Sequence, residues 1–252
     1  MEWEAPAVIL DLRPYGEGDA LASVLTESAG RYRGLARGAT ARGRAATWQP
    51  GNLVQARWVA RLAEQLGSLT GELVHPAAAL AMDDPLALAV LRAACAVAEG
   101  ALPERAPHPS IFGGLVRLIA GLADPETALP DLVRWEVMLL AELGYGLDLA
   151  RCAVTGATAG LAHVSPRTGR AVSAEAAGIW RERLLTLPGF LVGANRAEPA
   201  DWRDGLLLTG HFLARDAFGQ QNRPLPAARV ALLDRVSSLS VPNRAAPAEE
   251  TG

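Results

Sequence analysis

Asn52-Leu53-Val54-Gln55-Ala56-Arg57-Trp58-Val59-Ala60-Arg61 decides the first half of the fold. Leu53, Gln55, Arg57 and Val59 fall on one side of an extended chain, and Val54, Ala56, Trp58 and Ala60 fall on the other. That two-residue period belongs to a half-buried strand. Working outward, Pro50-Gly51 breaks the chain before it, and Leu66 to Val74 follows as another strand. Upstream, Ala7 to Leu12 is a short apolar run, and Pro14 to Asp19 reads as a loop. Leu21 to Thr26 and Arg31 to Ala36 flank the turn Glu27-Ser28-Ala29-Gly30 as a hairpin, and Arg37 to Gln49 is a small, polar, basic loop. Five short strands at close spacing predict a small closed barrel over residues 1–75, because closure removes edges that short strands would otherwise expose.

From Pro76 the period becomes helical, and residues 76–241 are expected to form an all-α domain. Asp83-Asp84-Pro85 supplies a cap and a first-turn proline for a helix to about Glu99. A second helix is expected over Ser110 to Leu122. A third, about Leu129 to Leu143, is apolar nearly all round and therefore central, ended by Gly144-Tyr145-Gly146. Residues 147–173 lose the period and read as an irregular insertion with two short strands. Helices are expected again near Ala174 to Leu185, Asp201 to Phe218 and Pro226 to Leu239, and a disordered tail over 242–252.

Charge is unevenly placed. The chain carries a formal net charge of −3, yet no acidic residue lies between Glu27 and Glu64, where Arg31, Arg33, Arg37, Arg42, Arg44, Arg57 and Arg61 fall. Every basic residue is arginine, whose planar fork suits phosphate. A barrel carrying such a window, with Tyr15, Tyr32, Trp48 and Trp58 nearby, suits a groove that holds single strands by phosphate contacts and base stacking. The same composition also describes a solvated basic surface with its aromatics in the core.

Other chemistries find little support. No G-x-S-x-G, Walker A, H-E-x-x-H or dinucleotide glycine pattern occurs, and the four histidines are scattered, so no catalytic residue is assigned. Cys95 and Cys152 offer no disulfide framework. Cys152 opens the insertion, but Thr155 stands where a C-x-x-C pair would close and the second pair is missing, so neither metal nor cofactor is expected. No apolar run is long enough to span a bilayer, and the acidic start Met1-Glu2-Trp3-Glu4 is unlike a secretory signal, which predicts a cytoplasmic protein. Arg134, on the apolar third helix, either pairs with Asp131 at i−3 or captures a carboxylate from an acidic peptide.

With these residues in view, the chain resembles the RecO family over almost its full length. Ala7-Val8-Ile9-Leu10 with Arg13 to Asp19, the segment Gly30 to Gly38, and Gln49-Pro50-Gly51 are similar to that family's opening strands. Arg134 into Leu143-Gly144-Tyr145-Gly146, with Asp148 and Cys152, is the most specific match; Val164-Ser165-Pro166, Gly169 to Val172, Arg223 and Arg229 complete it. The resemblance implies an α+β protein: an N-terminal five-stranded OB-fold barrel, then a helical domain with a degenerate, metal-free zinc-ribbon-like insertion. Many members carry four cysteines there; here only Cys152 remains, with Ser173 near a third place. It further implies a non-enzymatic, nucleoid-associated recombination mediator in DNA repair, which binds single- and double-stranded DNA, anneals strands, partners RecR, and docks on the C-terminal tail of single-stranded DNA-binding protein through Arg134. An OB-fold RNA-binding module is the alternative.

Overall fold

A computed structural model of the chain describes residues 1–62, 65–194 and 197–240; the expected tail lies outside the described residues. Strands β1 (Glu2–Tyr15), β2 (Asp19–Thr26), β3 (Gly30–Ala36), β4 (Leu53–Val59) and β5 (Gly67–His75) form a closed barrel in the order β1-β2-β3-β5-β4. Four of the five pairings are antiparallel, and β3 joins β5 in parallel at Gly34↔Gly67 and Leu35↔Ser68. This is OB-fold topology. β1 is long enough to serve both sides of the barrel: Glu2 to Val8 pairs with β4, Ala7 to Tyr15 pairs with β2, and a bulge between Ile9 and Asp11 supplies the bend.

The expected loop at Pro14 to Asp19 shrinks to a tight turn, because Gly16 and Gly18 adopt positive φ and let both strands run further. Inside the barrel small side chains surround Trp58, whose indole N–H donates to the Arg33 carbonyl at 3.1 Å. A Cβ on Gly67 would lie 2.3 Å from that indole, so the parallel seam requires glycine there.

The helical part begins with α1 (Ala77–Leu80), followed by α2 (Pro85–Ala101), α3 (Pro109–Ala120) and α4 (Pro125–Glu142). Asp84 caps α2 by accepting from the Leu86 and Ala87 N–H groups at 2.7 and 3.2 Å. Asp124 does the same for α4, which therefore starts a turn earlier than its apolar pattern predicts. The central position expected for α4 is observed, with one surprise on it. Glu136, fully buried, receives two hydrogen bonds from fully buried Arg229, at 2.6 and 2.9 Å, and another from the Thr209 hydroxyl.

The insertion holds the two expected strands, β6 (Leu161–Val164) and β7 (Ala171–Ser173), and β8 (Leu185–Thr186), which lies beyond it in the chain, adds a third to the sheet in the order β7-β6-β8. The helix expected over Ala174 to Leu185 ends after one turn, α5 (Ala174–Ala177), because Gly178 leaves helical space at φ 46, ψ −130; a 3-10 segment, Gly178–Arg183, follows. Helix α6 (Pro199–Phe212) continues through a π-helical stretch, Leu213–Phe218, and α7 (Ala227–Ser240) closes the described chain.

The barrel keeps its own interior core, and a second face of it belongs to the core of the helices. Val8, Leu10 and Leu25 of the barrel are buried with residues of α2, α3, α4, α6 and α7. Gly51 sits so close to α2 that a Cβ there would lie 2.6 Å from Leu91.

Candidate nucleic-acid interface

The seven arginines of the acid-free window do not share one environment. Arg31 and Arg33 lie two apart on β3 and so point the same way, but that way is toward the C-terminal end of α2. Arg31 is 8 % exposed; it bonds Glu99 at 3.0 Å and the Leu102 carbonyl at 2.9 Å. Arg33 reaches the same Glu99 oxygen at 2.8 Å and Glu104 at 3.2 Å, and the Ser23 hydroxyl donates to Glu99 as well. Both arginines, expected on a DNA groove, thus tie the barrel to the helical body through Glu99 and Glu104. The physical reason for Arg31 is that a guanidinium removed from water needs a carboxylate partner, which Glu99 and, more weakly, Glu104 supply; Arg33 shares both carboxylates from an exposed position.

The remaining five, like Arg33, are exposed. Arg37 and Arg44 border a groove of about 630 Å³ on the barrel wall formed by β1, β4 and β5, opposite Arg57 and beside Glu4 and Glu72. Arg57 bonds Glu2 at 2.8 Å, which holds the Glu2 carboxyl below its ordinary range. The Arg44 guanidinium donates to the Arg37 carbonyl at 3.1 Å, which folds the 37–48 loop over the groove. Arg42 lies within that loop and Arg61 follows β4; among the described residues neither these two nor Arg37 and Arg44 make an ion pair with a carboxylate.

The aromatics follow the bland reading. Trp48 and Trp58 are buried, and Tyr32 is packed edge-on between Trp3 and Trp58 at 5.3 and 5.1 Å. Of the rings expected to face a ligand, only Tyr15, at the β1–β2 turn, is exposed.

On the helical body Arg134 bonds Asp131 at 2.8 Å and the Phe190 carbonyl at 3.3 Å, and lies over the Phe190 ring. It borders a groove of about 250 Å³ between α3 and α4, floored by Leu118, Trp135 and Met138. Arg117 stands on the other side, exposed and without an ion pair among the described residues. Sequence reasoning missed Arg117; the signal was its place as the lone charge in Pro109–Ala120.

The insertion does not fit a zinc ion. Cys152 is the only thiolate available: its sulfur accepts from the Ser173 N–H at 3.3 Å, and hydrogen bonding with Thr155 and with Ser173 lowers the thiol to about 6. Val172 and Ala177 pack beside it where further ligands would be needed.

Against this geometry the comparisons are specific. Residues 1–77 match the family model for the Recombination protein O N terminal, and residues 82–226 match that for the Recombination protein O C terminal. The chain belongs to the RecO family. The chain is 60 % identical over 250 residues to a protein named DNA repair protein RecO in Granulibacter bethesdensis, covering 97 % of this chain and 99 % of that one. A protein of the same name in Acidiphilium cryptum is 60 % identical over 241 residues, covering 94 % and 96 %, and one in Rhodospirillum rubrum is 43 % identical over 252 residues, covering 97 % and 100 %. The RecO N-terminal match coincides with the barrel, and the C-terminal match covers the helices from α2 to the end of the π-helical stretch.

Proposed function

We propose that this RecO-family protein is a non-enzymatic recombination mediator of DNA repair, acting in the cytoplasm on the bacterial chromosome. It binds single- and double-stranded DNA and anneals complementary strands. With RecR it helps to load recombinase on single strands coated by single-stranded DNA-binding protein. The observation that carries the reading is the set of exposed arginines on the barrel, of which Arg37, Arg44 and Arg57 line the groove. Among the described residues Arg37, Arg42, Arg44 and Arg61 make no ion pair with a carboxylate, in a protein that is acidic overall, and Arg57 adds a fifth guanidinium at the groove. Phosphates meeting them release counterions, and two strands neutralised in this way approach each other more readily. Arg31 and Arg33 serve by fixing the barrel on the body.

The α3–α4 groove supports a second element of the same reading. An apolar floor between Arg117 and Arg134 suits a short acidic peptide with an apolar side chain to bury, and the acidic C-terminal tail of single-stranded DNA-binding protein is the occupant we assign to it. Arg134 keeps Asp131 as its partner until that exchange.

The test is an anisotropy titration of labelled oligonucleotides against salt with the variant R37A/R42A/R44A. Loss of three phosphate contacts should flatten the single-strand salt slope by about 2. Equal slopes in parent and variant would refute the groove. Running DNA and RNA oligomers of equal length side by side separates the mediator from an RNA-binding module.

A further inference from the structure

The barrel groove supplies charge without an exposed tryptophan, and the one exposed tryptophan lies elsewhere. Of the six in the chain, Trp48, Trp58, Trp135 and Trp202 are buried and Trp3 is half-buried, whereas Trp180 is 55 % exposed. It sits in Gly178–Arg183, a six-residue 3-10 segment in which no residue is buried. Its neighbour Ile179 is 90 % exposed. Arg183 places its guanidinium 5.2 Å from the Trp180 ring centre. Arg181 and Arg183 are both exposed and make no ion pair among the described residues.

Charge distribution indicates what would cover such a patch. Residues 28–63 hold seven arginines and no acid, and residues 147–186 hold five arginines against three acids. The rest of the chain holds twelve arginines against twenty-four acids. The stretch 147–186, the insertion and the segment after it, is thus the second positive region of an acidic protein, and the exposed tryptophan lies in it. An exposed π-surface with a guanidinium against it matches an unpaired base beside a phosphate, whereas duplex bases already have both faces stacked on their neighbours.

We propose that Trp180, with Arg181 and Arg183, is a base-stacking site for single-stranded nucleic acid, separate from the barrel groove. Trp180 takes the face of an unpaired base, the two arginines take the flanking phosphates, and Ile179 gives a second apolar contact. The inference rests on the reading of the protein as a DNA binder and adds where bases, as distinct from phosphates, are held. It gives the molecule a preference for single over double strands that phosphate contacts alone do not provide.

The experiment compares the full-length parent with Trp180→Ala and Trp180→Phe. Because the side chain is exposed, neither change threatens the core. Each protein is titrated with an oligothymidylate, an abasic oligomer of the same length, and a duplex. Trp180→Ala should weaken oligothymidylate binding about ten-fold, leave abasic and duplex binding at the parent's level, and abolish the quenching of tryptophan emission that the parent shows with oligothymidylate. Trp180→Phe should keep most of the affinity. If the parent binds all three ligands and Trp180→Ala binds oligothymidylate equally well, the stacking site is refuted and the barrel reading stands, and the patch then belongs to a protein partner. If the parent binds no oligomer at all, both fail together.

Discussion

Removing the Glu99 carboxylate tests whether Arg31 and Arg33 are structural. Glu99 is 8 % exposed and gathers the Ser23 hydroxyl, Arg31 and Arg33 on one side chain. In Glu99→Ala the Arg31 guanidinium stays buried with the Leu102 carbonyl at 2.9 Å and with Glu104 at a weaker 3.5 Å. Stripping one partner from a buried ion pair costs about 3–5 kcal/mol. Glu104 offsets part of that, and Arg33, half in water, contributes little. The expectation is therefore the low end, about 3 kcal/mol, which in a chain of this size lowers Tm by roughly 6–12 °C. Thermal and urea unfolding followed by circular dichroism measure it. The control is Arg31→Met with Glu99→Leu, in which no buried charge remains unpaired; it should recover most of the loss and keep the parent's salt slope for DNA. A single variant within about 1 kcal/mol of the parent, or a double variant whose salt slope falls as in R37A/R42A/R44A, would refute the assignment of these arginines to the clamp.

Glu136→Gln should cost about 3–5 kcal/mol, read by urea denaturation, because Arg229 loses its buried counter-charge. Burial, and the nearby Arg181 charge, lower the His163 pKa below its usual 6.5, so the unfolded chain binds the proton more readily. Stability from this group is then complete above pH 6.5 and falls as pH drops below it; His163→Phe should show a smaller loss in urea midpoint between pH 7.5 and 5. Incubation with a chelator should leave Tm unchanged, in contrast to domains whose structural zinc supplies about 10 kcal/mol or more. Arg117→Ala and Arg134→Ala should each weaken binding of a short acidic peptide with an apolar side chain, measured by calorimetry, while DNA affinity stays at the parent's level; loss of DNA binding in either would place that groove on the DNA path.

The barrel was readable because its signal is local. Alternation from Leu53 to Val59, and glycines at the turns, set strands and faces within a few residues of each other. The caps at Asp84 and the apolar α4 worked for the same reason. What escaped is pairing at long range. Arg31 and Arg33 meet Glu99 across 68 and 66 residues, and Glu136 meets Arg229 across 93, so an acid-free window said nothing of carboxylates brought in by another element. The segment after Ser173 misled in a different way: Ala174 to Ala177 has helical composition, and a single glycine, Gly178, redirects it into an exposed 3-10 turn. Arg117 and Arg134 share a groove only because α3 packs on α4, a relation no single-helix pattern contains.

The apolar seam between barrel and helices has a practical consequence for dissection. Val8, Leu10 and Leu25 are covered by the helices, and Leu91 by the turn at Gly51. Cutting the chain near Pro76 would strip both fragments of their cover and leave each with a sticky apolar scar. Truncated halves would therefore report on aggregation, and surface substitutions in the intact chain are the sound way to divide its labour.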